Sequence, residues 1–451
     1  MKDYLIRLVQ VHESFRKAEV LALAALAELN IKIIAYSNSS PFCIIQLENE
    51  AAARALIRRA IISHGIYELW GSGSTYEELH AVVRSTTKSM WAQYRECTFR
   101  FQVDAYRGKC SSSQQKALIE SFGYLGFDGP ILMKGFEQEF CIFEDYDFKA
   151  KSPKQVHFGR WIAGGDREAI TTYDLKKRRY ISTTSMDAEL ALVTANLTLA
   201  APGKLFYDPF VGTGSFSVAC SHFGATSLGS DIDPRSIKGT AKKNLFSNFV
   251  QYGLVDRFLD SFVSDLTHTP VRGTRLFDGI ICDPPYGVRE GLKVLGNKDG
   301  KGKEPIFVDG KPAHLLEHYI PPKRPYSFEA MLDDILEFAA LTLVENGRVS
   351  LWMPTANDED VELGIPTHPS LEVVSVCVQA FNKWSRRLLT YRRMADSEIV
   401  NPEPRPEKKG PTGTTANDLN SFRRRYFEGF KAPANSRTEP DIAAVIPSDH
   451  Q

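Results

Sequence analysis

The sequence lacks the features of membrane, secreted and metal-binding proteins. No apolar run is long enough to cross a bilayer, and residues 1–9 alternate like a strand instead of forming a basic segment before an apolar one. The seven cysteines are scattered, with no paired metal-ligand spacing. A cytosolic or nuclear protein with reduced thiols is therefore the default. We expect a cytoplasmic protein with no membrane association and no metal site of its own.

A charge imbalance is also missing. Lysine plus arginine equals aspartate plus glutamate at 55 each, so the global charge does not indicate a nucleic-acid binder, and any such evidence must be local. The 451 residues, 43% of them hydrophobic, can bury a sizeable core and form two or three domains.

The first part of the chain has the mixed periodicity of small α+β domains. Up to about residue 95, strand-like and helix-like runs alternate, and the pattern resumes from residue 98. We expect two compact modules, 1–95 and 96–165. The predicted strands are 4–11, 31–35, 42–47, 99–105 and 140–143, and the predicted helices are 15–29, 51–63, 77–93 and one after the serines at 111–113.

From residue 204 to about 394, strands and helices follow each other in succession. This order predicts a doubly wound α/β sheet, which binds its ligands outside the carboxyl ends of its strands. The last two strands are joined by residues 382–387 only, too few for a crossover helix, so they should form an antiparallel hairpin at a sheet edge. The predicted strands are 205–207, 227–230, 262–263, 276–281, 349–352, 373–381 and 388–392, and the predicted helices are 214–221, 234–248 and 328–344.

A glycine-bearing turn follows the first of these strands. It reads Asp208-Pro209-Phe210-Val211-Gly212-Thr213-Gly214 and runs into a helix. Gly212 and Gly214 would let the backbone approach a ligand closely, and the helix start offers N–H groups to an anion. Taken alone, the pattern is equally typical of an ordinary strand–helix turn.

A carboxylate ends the second strand. Asp231 lies about 20 residues after the glycine turn, the position from which an acid usually binds a ribose diol. The alternative for Asp231 or its neighbour Asp233 is N-capping of the helix that Pro234 begins.

The motif that indicates the reaction class follows the fourth strand. Asp283-Pro284-Pro285-Tyr286 ends an apolar strand abruptly. Consecutive prolines have no N–H to donate, so nearby carbonyls are left as acceptors beside the Asp283 carboxylate, a site that suits the two donors of an NH2 group. Tyr286 offers a flat face on which a base can stack. The alternative is a proline turn with a capping Asp283 and a packed Tyr286.

Together these motifs resemble the class I amino-methyltransferases that act on nucleobases through an Asp/Asn-Pro-Pro-Tyr sequence. Residues 173–180, residues 184–190 and Asn196 resemble the subset that carries an N-terminal THUMP RNA-binding domain. With residues 283–290 included, the chain to about Met394 is similar to the catalytic subunits of eukaryotic tRNA (guanine-10-N2)-methyltransferases. The chain departs from the family at residues 181–184, where a glycine–proline pair is expected before the threonine.

The resemblance implies a domain order and a reaction. Residues 1–95 would be a ferredoxin-like domain, 96–165 the remainder of a THUMP region, 166–200 a linker and helix, and 201–394 a Rossmann-like domain that uses S-adenosylmethionine. The product would be N2-methylguanosine in tRNA, most simply at guanine 10. A small zinc-binding activator subunit would complete a heterodimer, and the exposed strand at 258–264 is a candidate site for its β-addition.

Residue roles follow from the same resemblance. Asp283, Pro284 and Tyr286 would be catalytic, with the first two accepting hydrogen bonds from the amino group and the third holding the base. For the cofactor, Asp208, Pro209, Gly212 and Gly214 would flank the methionine part, Asp231 the ribose and Asp265 the adenine amino group. For Asp265 the alternative is a simple cap.

Local charge indicates where an RNA would be held. Between residues 151 and 180 the sequence has eight Lys/Arg against three acids. We expect phosphate contacts from Lys176, Lys177, Arg178 and Arg179. The alternative is a solvated linker.

Two stretches and two rival functions complete the expectations. Residues 293–324 are either a substrate loop or an insertion, and the tail 395–451 is expected to be disordered apart from an amphipathic stretch at 419–430. The rivals are another amino-methyltransferase, acting on rRNA guanine N2 or DNA adenine N6, and a non-catalytic RNA-binding scaffold.

Overall fold

The computed structural model describes residues 1–289, 291–296, 307–316, 319, 322–356, 364–399 and 415–429. The chain forms two compact units. The first contains residues 1–229, 233–262 and 279–281, and the second contains residues 230–232, 263–278 and 282 onward. No helix in the described ranges is long and apolar enough to span a bilayer.

Eighteen strands and eleven α-helices lie within these ranges. The strands are β1 Lys2–Leu8, β2 Lys32–Ala35, β3 Phe42–Leu47, β4 Ser63–Gly73, β5 Phe99–Tyr106, β6 Gln138–Asp145, β7 Gln155–Gly164, β8 Leu205–Asp208, β9 Thr226–Asp231, β10 Phe258–Val263, β11 Phe277–Cys282, β12 Lys293–Leu295, β13 Phe307–Val308, β14 Lys311–Pro312, β15 Lys323–Pro325, β16 Leu343–Ala356, β17 Leu371–Ala380 and β18 Trp384–Arg393. The helices are α1 Glu13–Leu26, α2 Glu50–Ile57, α3 Tyr76–Thr87, α4 Ser112–Glu120, α5 Glu168–Thr172, α6 Ala188–Leu197, α7 Ser215–His222, α8 Pro234–Lys238, α9 Leu245–Tyr252, α10 Phe328–Thr342 and α11 Ser421–Glu428.

One seven-stranded sheet runs through both predicted N-terminal modules. Its order is β2-β3-β1-β4-β7-β6-β5, because β4 of the first module pairs antiparallel with β7 of the second. All neighbouring pairs are antiparallel except β5 and β6. Apolar residues of α1 and α2 pack against β1 and β3 in one buried cluster, and α3 contributes to another with the aromatic residues of β5, β6 and β7.

The predicted strands of this region are confirmed in place, although the one predicted over 4–11 ends at Leu8, and the two central strands were missed. β4 contains Gly65, Gly71 and Gly73 and is buried on both faces, so it lacks the alternation on which strand prediction relies. A Cβ on Gly65 would stand 2.2 Å from the Trp161 ring, so the glycine permits close packing of β4 and β7. The helix predicted over 51–63 was too long, since α2 ends at Ile57 and β4 begins at Ser63.

The second sheet has the order β10-β9-β8-β11-β16-β18-β17. Strands β9 and β11 flank β8 in parallel, while β18 pairs antiparallel with both β16 and β17. Ala380 pairs with Ser385 across the tight turn, which confirms the antiparallel edge hairpin. The Rossmann-like fold class is confirmed as well.

The helix predicted over 234–248 was wrong in one respect, since it is two helices. Gly239 takes a φ of 44° and a ψ of −121°, outside the helical region, and ends α8. Asn244 then begins α9 with a reciprocal capping box, in which its side chain accepts from Ser247 N at 2.8 Å and Ser247 Oγ accepts from Asn244 N.

Two less regular stretches of the second unit bear on the predictions. The stretch predicted as a substrate loop or an insertion, 293–324, takes part in two antiparallel pairs, β12–β15 and β13–β14. Residues 297–306, 317, 318, 320 and 321 lie outside the described residues. In the tail, the amphipathic stretch predicted at 419–430 is helix α11, whose start is capped by the Asn420 side chain. Residues 400–414 and 430–451 lie outside the described residues.

Candidate active site

The glycine turn is built by a local hydrogen bond and two positive backbone angles. Asp208 is buried at the end of β8 and accepts from Phe210 N at 3.0 Å, with buried Pro209 between them. Gly212 and Gly214 have φ values of 49° and 82°, a region that L side chains rarely adopt. The turn then leads directly into α7.

The two glycines serve different purposes. A Cβ on Gly214 would stand 2.3 Å from Leu245 Cδ1, so this position must be bare for α9 to pack against the turn. A Cβ on Gly212 would meet only Phe210 O at 3.9 Å, so the other face of the turn is open. An open backbone face next to a helix start fits the methionine part of S-adenosylmethionine.

The basic linker is hydrogen-bonded to this turn. Asn248 of α9 donates from Nδ2 to Thr213 O at 3.0 Å and to Tyr180 O at 2.8 Å, and accepts from Tyr180 N at 3.0 Å. Buried Arg178 donates from Nη1 to Ser215 Oγ, the first residue of α7, at 2.8 Å. Residues 178–180 therefore help to hold the glycine turn and the start of α7 in place.

Arg178 differs from the other three predicted phosphate ligands. Lys176, Lys177 and Arg179 have exposed side chains, as a phosphate-binding stretch requires. Arg178 is only 5% exposed and its guanidinium lies 5.8 Å from the Tyr252 ring. The sequence run could not show this, because burial of Arg178 depends on a contact with Ser215, 37 residues further along the chain.

Asp231 and Asp233, at the end of β9 and just after it, have different surroundings. Asp233 caps α8 by accepting from Arg235 N at 3.0 Å, so it is the member of the pair that performs the capping. Asp231 is the last residue of β9, and its carbonyl accepts from Ser264 N at 3.0 Å. Its ribose contact stays a prediction, consistent in chemistry with a carboxylate at a strand end.

Asp265 shows the capping arrangement that the sequence left open. Its carboxylate accepts from Thr267 N at 3.1 Å, from Thr267 Oγ1 at 2.9 Å and from Leu295 N at 2.9 Å. These bonds begin a short 3-10 helix and fasten β12 beside it. An adenine contact by Asp265 stays a prediction, and it would have to share an already bonded carboxylate.

The Asp283-Pro284-Pro285-Tyr286 motif follows β11 as a turn in which two side chains meet. Tyr286 Oη donates to Asp283 Oδ1 at 2.6 Å. Pro284 is buried and Pro285 is exposed. Loss of hydration raises the pKa of Asp283 from its ordinary value near 3.8 to about 6, although the Tyr286 hydrogen bond and the Arg386 charge oppose that rise.

An arginine and a tryptophan of the edge hairpin complete the surroundings of Tyr286. The Trp384 ring meets the Tyr286 ring edge-on at 6.3 Å, and the Arg386 guanidinium lies 4.8 Å above the Trp352 ring. Burial and the neighbouring Asp283 charge raise the pKa of Tyr286 well above its ordinary value, while Arg386 lowers it. Tyr286 is therefore a neutral hydrogen-bond donor at physiological pH.

Sequence reasoning missed Trp384, Arg386 and a set of tail residues at this site. Asn420 Nδ2 donates to Tyr286 O at 2.9 Å, from a position 134 residues further along the chain. A signal for the hairpin residues existed, since Trp384 and Arg386 stand close together at the start of β18. No local pattern pointed from the tail to the motif.

The sheet order, the open glycine turn after β8 and the Asp-Pro-Pro-Tyr turn after β11 define a class I, S-adenosylmethionine-dependent amino-methyltransferase. The family models agree, since residues 2–167 match the Tmrp11 THUMP N-terminal domain and residues 176–296 match the RMKL-like methyltransferase domain.

Similar proteins give the family. A tRNA (guanine(10)-N(2))-methyltransferase of Saccharomyces cerevisiae is 45% identical over 87% of this chain and 93% of its own length. The human protein of the same name is 34% identical over 95% of this chain and 96% of its own length. The chain belongs to the tRNA (guanine(10)-N(2))-methyltransferase family. Among solved structures, TrmN of Thermus thermophilus aligns with 87% of this chain and 100% of its own at 14% identity and a TM-score of 0.41, too distant to bear on function.

Proposed function

We propose that this protein transfers a methyl group from S-adenosylmethionine to the exocyclic N2 of guanine 10 in tRNA. The observation that carries the proposal is the Asp283-Pro284-Pro285-Tyr286 turn, where a carboxylate and proline-flanked carbonyls offer acceptors to an NH2 group. Membership of the family supports tRNA as the substrate and position 10 as the target.

The chemistry needs alignment more than activation. S-adenosylmethionine, when bound, supplies a methyl group on a positively charged sulfur, which is already a good electrophile. The guanine amino lone pair is delocalised into the ring and is a weak nucleophile. The protein's task is to localise that lone pair and hold it in line with the methyl group.

Asp283 and Pro284 perform that task in this proposal. Tyr286 occupies Asp283 Oδ1, so we assign Oδ2 and the Pro284 carbonyl to the two amino hydrogens. As the N–C bond forms and the C–S bond breaks, the Asp283 charge stabilises the positive nitrogen, and the carboxylate can accept the proton that the nitrogen then loses. The face of Tyr286 holds the base, which must leave its stack to reach the site.

The test of this function is methyl transfer from labelled S-adenosylmethionine to unmodified bulk tRNA, followed by nucleoside analysis. Label in N2-methylguanosine that is absent with Asp283→Ala supports the proposal. Label in another nucleoside would mean that the enzyme methylates a different base by the same chemistry. Preference for rRNA or DNA over tRNA would favour an rRNA guanine-N2 or a DNA adenine-N6 methyltransferase. No binding of S-adenosylmethionine would favour the scaffold.

We further propose that Lys176, Lys177 and Arg179 contact tRNA phosphates. Their side chains are exposed, and they lie next to Arg178 and Tyr180, which are bonded to Ser215 and Asn248. The linker therefore brings phosphate-binding charge to a segment that is held at the Arg178 side chain and at the Tyr180 backbone. Phosphate contacts of this kind orient a nucleic acid without reading its sequence.

We also propose a small zinc-binding activator subunit as partner, bound along β10. Among the described strands, β10 ends the sheet order, and its Leu259 is 61% exposed. Phe246, Val250 and Val255 are exposed close by in sequence on α9 and the following turn. An edge strand with exposed apolar side chains suits β-addition.

Co-expression with the family's small zinc-binding subunit tests that location. Leu259→Asp should abolish co-purification, whereas Leu21→Asp, at an exposed position of α1, should leave it intact. Co-purification that survives substitutions along β10 would place the partner elsewhere.

A further inference from the structure

We propose that residues 415–429, the C-terminal strap, position the catalytic turn, with Asn420 and Arg423 as its positioning residues. The proposal rests on the proposed function, because it assigns a role to the strap in methyl transfer by Asp283 and Tyr286. Strap and turn both belong to the second compact unit.

Asn420 joins the strap to the turn with one side chain. Its Oδ1 accepts from Arg423 N at 2.8 Å and so caps α11, while its Nδ2 donates to Tyr286 O at 2.9 Å. Formation of the helix start and fixation of the catalytic tyrosine's backbone therefore depend on the same amide.

Arg423 holds the next two carbonyls. Its Nη1 donates to Gly287 O and Val288 O, and its Nε donates to Asn417 Oδ1 at 3.0 Å. The guanidinium also lies 4.9 Å from the Phe427 ring. Because Asn417 and Phe427 of the strap both contact the Arg423 guanidinium, this side chain is held in the orientation that binds the carbonyls of the turn.

Gly287 permits the close approach of the strap to the turn. Its φ of 71° is a conformation that favours glycine, and a Cβ there would stand 2.7 Å from Asn420 Nδ2. Strap and turn approach each other as closely as a bare backbone permits.

The strap also supports the Tyr286 ring through Trp384. Phe422 is only 1% exposed and meets the Trp384 ring edge-on at 5.7 Å, and Trp384 meets Tyr286 in turn. Leu419 O accepts from Phe328 N at 3.1 Å, which ties the strap to the start of α10. Tyr286 is thus fixed at its ring and at its carbonyl, and its hydroxyl in turn holds Asp283.

The first test separates hydrogen bonding of the strap to the turn from N-capping of α11. Asn420→Ser keeps a good capping residue but removes the amide donor to Tyr286, and Arg423→Ala removes the bonds to Gly287 and Val288. Arg424→Ala, at the neighbouring exposed arginine, is the matched control. We expect both strap variants to lose roughly 10-fold or more in kcat, because a small misplacement of a catalytic group is costly, with little change in KM for S-adenosylmethionine.

The second test shows whether the strap acts through Tyr286. In a Tyr286→Phe background, Asn420→Ser should have much less effect than in the wild-type chain, since the bond that it protects is already gone. An active wild-type enzyme whose strap variants keep full kcat would overturn the proposal, as would losses that merely follow the folded fraction measured by thermal unfolding. An inactive wild-type enzyme would instead contradict the proposed function.

Discussion

Tyr286 Oη donates to Asp283 Oδ1 over 2.6 Å, three residues apart across two prolines. The bond orients the carboxylate, and in the proposed mechanism the second carboxylate oxygen accepts from the substrate amino group. It forms at a place where burial raises the pKa of Asp283 to about 6.

Activity should fall as pH drops through about 6. The carboxylate must be ionised to accept from the amino group and to stabilise the positive nitrogen, and its pKa of about 6 sets the acid limb of kcat. Asp283→Asn should remove that limb, because the amide does not titrate, and should lower kcat roughly 100-fold, because its oxygen accepts without a charge. A pH profile of single-turnover rates checks this, and an acid limb that persists in Asp283→Asn would assign it to another group.

The same raised pKa predicts that ionised Asp283, although needed for activity, lowers the stability of the fold. A raised pKa means that the folded state binds the Asp283 proton more tightly than the unfolded state does, so the free energy of unfolding falls as pH rises from about 4 to about 6. Above this window the buried charge costs stability. Asp283→Asn should therefore be more stable than the wild type at pH 7.5, by about 1–2 kcal/mol after allowance for partial exposure, and should show little difference at pH 4. Urea unfolding at pH 4 and pH 7.5 measures the difference in free energy of unfolding between the two proteins. An equal difference at both pH values would show that the Asp283 charge is not its cause.

Gly214→Ala should damage both the fold and cofactor binding. The new Cβ would meet Leu245 Cδ1 at 2.3 Å and take a φ of 82°. Gly203→Ala is a matched control, because Gly203 has a φ of 80° with nothing within 4 Å of the added carbon. We expect about 1–2 kcal/mol of backbone strain in both variants, but a raised KM for S-adenosylmethionine only in Gly214→Ala. A normal KM in that variant would mean that the turn does not shape the cofactor site.

Neighbouring arginines of the linker should give different defects. Arg178→Ala removes the buried bond to Ser215 and should weaken S-adenosylmethionine binding and thermal stability. Arg179→Ala, at an exposed side chain, should weaken tRNA binding and lower the slope of log affinity against log salt by about 1 for one lost phosphate contact. Calorimetry with the cofactor and filter binding with tRNA separate the two. Equal losses of tRNA affinity in both would indicate that Arg178 also reaches the RNA.

The sequence was informative wherever periodicity or a short motif carried the structure. The strand at 42–47, the edge hairpin, the glycine turn and the Asp-Pro-Pro-Tyr turn were all predictable, because each depends on residues close in sequence. The central strand β4 was not, since its glycines serve packing against Trp161 from another strand. Burial of Arg178 and attachment of Asn420 to Tyr286 were beyond prediction for the same reason, as both depend on a distant partner.

The most direct measurement of the central claim uses two unmodified tRNA transcripts that differ only in guanine or adenine at position 10. Wild-type enzyme with labelled S-adenosylmethionine should place one N2-methyl group on the guanine transcript and none on the adenine transcript, and Asp283→Ala should label neither. Equal labelling of the two transcripts, or undiminished labelling by Asp283→Ala, would contradict the account.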